Sequence, residues 1–129
     1  MKRIALVEDN PDNRLLARAI LEDLYEIDEY VNGMDALNGI RRNLPALVLL
    51  DISLPGMDGS EVLRALRADA ATYRLPVIAL TAHAMAGDRE RYLGQGFDSY
   101  VTKPIVDEHI LISEIDRLLA AADSGATNG

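Results

Sequence analysis

Three short aliphatic runs recur along the chain: RIALV (Arg3 to Val7), ALVLL (Ala46 to Leu50) and PVIAL (Pro76 to Leu80). Each is too short for a helix, and each is followed by a polar stretch with helical spacing, so the runs predict buried parallel strands. Between them, Leu15, Leu16, Ala19 and Ile20 recur at helical intervals, as do Met34, Leu37 and Ile40, and then Val62, Leu63 and Leu66. Every set forms one apolar stripe. Two weaker strands are expected at Tyr25 to Tyr30 and Ser99 to Val101, and a last helix near Asp107 to Ala121 carries Leu111, Ile115, Leu118 and Leu119 on one face. The segment AMAGDRERYLGQGF, from Ala84, has few large apolar residues and two glycines near its end. It predicts a loosely packed fourth helix. A β-α unit repeated five times gives a parallel sheet with helices on both faces, and such sheets bind ligands at the carboxyl ends of their strands.

Composition narrows the class. A chain of 129 residues suits one domain, read as residues 1–122, with AADSGATNG closing the chain as a frayed end and residues 123–129 as a tail. Hydrophobic residues at 49% and charged residues at 26% match an ordinary folded domain. The absence of Cys excludes disulfides and thiolate-held metals, leaving hard-metal sites open. A net charge of -8 argues against a nucleic-acid footprint, which needs clustered Lys and Arg. The apolar runs fall far below the roughly 20 residues that span a bilayer, and MKRIALVEDN turns acidic too early for a signal peptide. A cytoplasmic protein without membrane or nucleic-acid partners is expected, and the initial Met reads as a natural N-terminus.

The chemistry collects at the strand ends. Glu8 and Asp9 follow the first strand, Asp51 the third, Thr81 the fourth and Lys103 the fifth, all on one edge of the sheet. Singly, each suits a helix cap, a turn or a solvated surface. Together, three converging carboxylates repel one another unless a cation sits among them. Magnesium is the hard, oxygen-seeking candidate, and it leaves room for phosphate oxygens. Lys103 adds a second positive charge and Thr81 a neutral donor, so the set describes a phosphoryl site with Asp51 as nucleophile. The ion is expected between Asp9, Asp51 and the Ser53 backbone carbonyl, with Glu8 holding one of its waters.

The motifs VEDN, LLDISLPGMDG, ALTAHAM and YVTKP, in this order and spacing, resemble the receiver domain of two-component response regulators. The likeness runs from Lys2 to the last helix and is closest to single-domain receivers, though the segment from Thr81 to Ile105 is also similar to receivers fused to hybrid kinases. It implies a flavodoxin-like doubly wound fold with strand order 2-1-3-4-5. By position it makes Asp51 the phosphoacceptor, Glu8 and Asp9 the acidic pair, Thr81 the switch hydroxyl, Lys103 the phosphate-contacting lysine and Tyr100 the switch aromatic. It also implies a cis bond at Lys103-Pro104, and Ser53 and His83 as residues that tune phosphoryl lifetime; beyond the resemblance, His83 is expected to shield the group from water. Partners implied are a histidine kinase or histidine phosphotransfer protein, meeting the first helix, and a downstream effector on the fourth helix, fifth strand and fifth helix. The receiver would be a monomer or a phosphorylation-dependent dimer, a phosphoprotein with only slow self-dephosphorylation.

Three other readings fit less well. A flavodoxin-like redox carrier would set a flavin phosphate against three acids, with aromatic content of only 5% and no Trp. A magnesium-dependent phosphatase with an aspartyl nucleophile generally has an acid two residues later, where this chain has Ser53. A degenerate receiver acting purely by binding would have lost an acid or the lysine, and both are present.

Overall fold

The computed structural model describes residues 1–82, 87–105 and 107–125. Among these, β1 (Arg3–Val7), α1 (Pro11–Leu21), β2 (Glu26–Tyr30), α2 (Gly33–Arg42), β3 (Leu47–Asp51), α3 (Gly59–Ala68), β4 (Val77–Thr81), α4 (Asp88–Gln95), β5 (Ser99–Thr102) and α5 (Glu108–Gly125) alternate along the chain. The strands form one parallel sheet in the order β2-β1-β3-β4-β5, as the resemblance implied.

Because successive strand residues point to opposite faces, each aliphatic run feeds two cores at once. Ala5, Val7, Val48, Leu50, Val77 and Ala79 face one side, against Ala36, Leu37 and Ile40 of α2 and Val62, Leu63 and Leu66 of α3. Ile4, Leu6, Leu47, Leu49, Ile78 and Leu80 face the other, against Ala17 and Leu21 of α1 and Leu111, Ile115, Leu118 and Leu119 of α5. This is why β1, β3 and β4 read as continuous apolar runs. At the open edge, β2 is the polar sequence EIDEY, and Arg3 ties it down through Glu26 at 2.9 Å and Asp28 at 2.9 Å. Charged side chains on an edge strand also discourage pairing with another chain.

Two predicted stripes are displaced. In α1, Leu15 is 67% and Leu16 37% exposed, while Ala17 and Leu21 are buried. In α2, Met34 is exposed, and Gly33 and Ala36 lie inside with Leu37 and Ile40. Both helices approach their neighbours through small residues: a Cβ on Gly33 would lie 2.7 Å from Val62 Cγ2. Small residues allow close approach but carry little hydropathic signal, so the larger Leu and Met side chains dominated the pattern. The stripes of α3 and α5 fall where expected. Helix α5 continues through Gly125, beyond the expected end at Ala121, and residues 126–129 lie outside the described residues.

Candidate functional site

Strand register assembles the site. Val7 pairs with Leu50, so Glu8 emerges beside Asp51; Asp51 pairs with Leu80, placing Thr81 one residue further, opposite Thr102. Backbone bonds carry the ladder past the aliphatic runs, from Ile52 N–H to Leu80 O at 3.1 Å and from Lys103 N–H to Thr81 O at 2.7 Å. Asp51 and Thr81 therefore end their strands and inherit the rigidity of the sheet. Glu8 and Asp51 are 1% exposed and Thr81 is 3% exposed, whereas Asp9 faces solvent.

The loops aim these side chains. Asn10 caps α1, its Oδ1 accepting from Asp12 N at 2.8 Å and Asn13 N at 3.1 Å, and Pro11 occupies the first helical turn, where a missing N–H costs nothing. The Asn10 N–H donates to Glu8 Oε2 at 3.2 Å, and Arg14 Nη1 donates to the carbonyls of Glu8 at 3.0 Å and Asp9 at 3.1 Å. Arg14 thus braces the acidic loop. After β3, the Ser53 N–H donates to Asp51 Oδ1 at 2.9 Å, and Gly56 turns the chain at φ 77°, a left-handed backbone conformation suited to glycine. Asp58 then caps α3 by accepting from Glu61 N at 3.0 Å. Beyond β5 the Lys103-Pro104 bond is cis. Lys103 Nζ lies 3.0 Å from Asp51 Oδ1 and 3.1 Å from Glu8 Oε1.

The carboxylates of Glu8, Asp9 and Asp51 offer oxygens that all lie within 4.8 Å of one another. Among the described residues Lys103 is the cation paired with Glu8 and Asp51, and three acids crowd like charge around it. Burial, together with the hydrogen bond and repulsion from Asp51, raises the Glu8 pKa to about 7. For Asp51, burial pushes upward, but hydrogen bonds from Glu8, the Ser53 amide and Lys103 outweigh it and hold the carboxyl below its ordinary value. Burial opposes the Lys103 charge, yet its bonds to Asp51 and Glu8 leave the ammonium pKa raised. Burial and crowding thus favour a proton on Glu8 below about pH 7, and a hard divalent cation among the three acids would relieve the same crowding. An all-oxygen, carboxylate-rich donor set with one solvent-facing member fits magnesium.

Glu8 binds its proton more tightly folded than unfolded, so this group's contribution is complete below 4.5 and is lost as pH rises toward about 7. Asp51 acts oppositely, contributing above its ordinary 3.8 and losing that contribution as pH falls through its lowered folded pKa. In chelator, the melting temperature should fall by several degrees between pH 5 and pH 8, and magnesium at pH 8 should restore it. Thermal melts at both pH values with and without the ion measure this, and a flat profile refutes it.

Thr81 Oγ1 lies 3.0 Å from the Tyr92 hydroxyl of α4. Tyr100 is half-buried against the α2–α3 core, its ring tilted 48° to that of Tyr92 with centroids 5.7 Å apart. Ser53 is exposed at the mouth of the site, and His83 lies outside the described residues. Gly87 and Gly96, both left-handed, cap helix α4 at its two ends, and Leu93 is exposed. Tyr92 was missed in the sequence; a lone aromatic at a core position of a weak helix gives no sign of its hydroxyl.

A doubly wound parallel sheet whose carboxyl edge joins a buried aspartate to two acids, a lysine and a hydroxyl defines a phosphoryl-handling signalling domain. The chain belongs to the response regulator receiver domain family, whose model matches residues 4–116. It is accordingly a phosphoaccepting switch of two-component signalling, from a family of signalling proteins rather than classical enzymes. Among its relatives, the polar-differentiation response regulator DivK of Brucella anthropi is 43% identical over 105 residues, covering 81% of this chain and 85% of that protein. The sensor protein GacS of Pseudomonas syringae pv. syringae is 41% identical over 112 residues, covering 84% of this chain but only 12% of GacS. The receiver domain of the sensor histidine kinase PA1611 from Pseudomonas aeruginosa PAO1, solved with a magnesium ion coordinated in its active-site cleft, superposes with a TM-score of 0.83 at 36% identity, covering 92% of this chain and 98% of that one. No helix among the described residues is long and apolar enough to cross a membrane.

Proposed function

We propose that Asp51 accepts a phosphoryl group from a phosphohistidine of a histidine kinase or histidine phosphotransfer protein, with magnesium held by Glu8, Asp9, Asp51 and the Ser53 backbone carbonyl. One observation carries this reading: Asp51, buried at the end of a central strand, has Lys103 Nζ at 3.0 Å and the acids Glu8 and Asp9 within 4.8 Å. Bound magnesium supplies charge neutralisation for the phosphoryl oxygens. The Asp51 carboxylate attacks phosphorus, the P–N bond breaks, and its electron pair returns to the imidazole nitrogen. Donation from Ser53 N–H and Lys103 to the same oxygen, Oδ1, fixes the orientation of the carboxylate during attack. Lys103 then balances charge on the phosphoryl oxygens, and the Thr81 hydroxyl turns to donate to one of them.

The reading extends to the receiver's surfaces. Residues 1–122 form the receiver, α1 meets the phosphodonor, and the α4–β5–α5 face changes on phosphorylation, Tyr100 moving inward, to bind an effector or a second receiver. His83 and Ser53 modulate the lifetime of the acyl phosphate, and the domain works in the cytoplasm. The decisive experiment is incubation with acetyl phosphate with and without magnesium, borohydride reduction of the acyl phosphate, and peptide mapping. Reduction confined to Asp51 and dependent on magnesium is expected; modification elsewhere, or uptake that ignores the ion, refutes the reading.

A further inference from the structure

We propose that Tyr92 is a positioning residue of the switch: its phenol holds the Thr81 hydroxyl in the unphosphorylated receiver and couples that hydroxyl to helix α4. The inference rests on the reading of Thr81 as the group that turns toward the phosphoryl oxygens. Tyr92 is 3% exposed, and its contact with Thr81 Oγ1 at 3.0 Å is buried. Arg91 Nη2 donates to the same phenol oxygen at 3.1 Å while its guanidinium carbon lies 5.0 Å from the ring centroid. The ring is bracketed edge-on by Phe97 at 6.1 Å and tilted against Tyr100 at 5.7 Å. Arg91 also pairs with Asp88 at 3.1 Å, on the first turn of the helix. Tyr92 is thus fixed at both ends, its ring in the aromatic cluster and its hydroxyl on the last residue of β4.

The energetic weight of that position comes from what surrounds it. Tyr92 and Asp88 are the buried residues of α4, and the helix has a glycine at each end, so Tyr92 is its main apolar anchor. When the Thr81 hydroxyl rotates to a phosphoryl oxygen on Asp51 it gives up the Tyr92 bond, and the phenol loses its attachment to β4. The anchor of α4 loosens in the same step, beside the Tyr100 ring that lies against it. Tyr92 therefore opposes switching before phosphorylation and passes the change to the helix after it. Breaking one hydrogen bond of this kind shifts the balance by about two- to tenfold.

Tyr92→Phe keeps the ring and removes the hydroxyl. Beryllium fluoride, which adds to a carboxylate as a phosphoryl mimic, should bind the Y92F protein about two- to tenfold more tightly than wild type in magnesium. In metal-free protein, amide exchange in α4 should quicken while exchange in β3 is unchanged. On a Thr81→Val background the Y92F substitution should leave beryllium fluoride affinity unaltered, because the bond it removes is already gone. A merely structural lesion would not tighten binding, and its effect would persist on the T81V background. Unchanged or weaker binding by Y92F, or an equal gain on both backgrounds, overturns the proposal alone. Wild-type protein that fails to bind beryllium fluoride overturns the reading of Asp51, and this proposal with it.

Discussion

Asp51→Asn should abolish phosphate uptake from acetyl phosphate while leaving the metal-free fold close to wild type in stability. The side chains match in shape, but an amide cannot form the acyl phosphate, and Glu8, the other carboxylate beside Lys103, carries the proton that Asp51 lacks at pH below about 7. Stability moves little because two effects oppose: Asp51 is one source of the crowding in the site, yet its lowered pKa means that its ionised form also contributes to the fold. Its hydrogen bond and its repulsion both raise the Glu8 pKa, and removing its charge lets that pKa fall toward 4.5, with burial alone still opposing. Lys103 keeps Glu8 Oε1 at 3.1 Å as a partner, so the substitution does not strand a buried ammonium. The rise in melting temperature caused by magnesium should shrink, since one anionic donor is lost. Intact mass after acetyl phosphate treatment and paired melts with and without magnesium measure both effects. Uptake by the variant, or a melt far below wild type in chelator, contradicts this account.

How much of this was legible in the sequence depended on which residues announce themselves. The strands did, because β1, β3 and β4 are buried on both faces and are aliphatic apart from one polar end residue each. Asp51 did, because an acid at the end of such a run needs a reason. Glu8, Lys103 and Thr81 followed from their shared edge, and the register brought those three and Asp51 within two rungs of one another. The inward faces of α1 and α2 did not, because Ala17, Gly33 and Ala36 are buried for their size rather than their hydropathy. Neither did the bracing by Arg14 nor the contact of Tyr92 with Thr81. Both are bonds between a side chain and a group on another element, and their direction depends on how a helix sits against the sheet. What periodicity reports is burial; the partner of a polar tip is set by packing angles that it does not encode.

The glycine that closes LLDISLPGMDG is the other position where a small change should have a large effect. Gly59 opens α3 directly over the exit of β3, its N–H donating to Ile52 O at 3.0 Å. A Cβ there would lie 2.6 Å from Asp51 O and 2.7 Å from Ile52 Cα. Both are backbone atoms, so no side-chain rotation relieves the clash. Either the first turn of α3 lifts away or the Asp51–Ile52 peptide is pushed back. Gly59→Ala should therefore cost about 1–3 kcal/mol, as overpacking does in a rigid interior. In melts this appears as a loss of several degrees. Function should suffer more than stability, because the displaced peptide carries the phosphoacceptor. A shift of about 1 Å in a reacting group can cost about a hundredfold, so a fall of about 10- to 100-fold in the rate of phosphate uptake is expected. Gly94 in α4 is the internal control, since a Cβ there meets nothing within 4 Å. Gly94→Ala should raise stability by about 0.5–1 kcal/mol, as alanine does in place of glycine within a helix. If Gly59→Ala melts like wild type and takes up phosphate at the wild-type rate, the packing of α3 on the phosphoacceptor peptide is not what holds Asp51 in place.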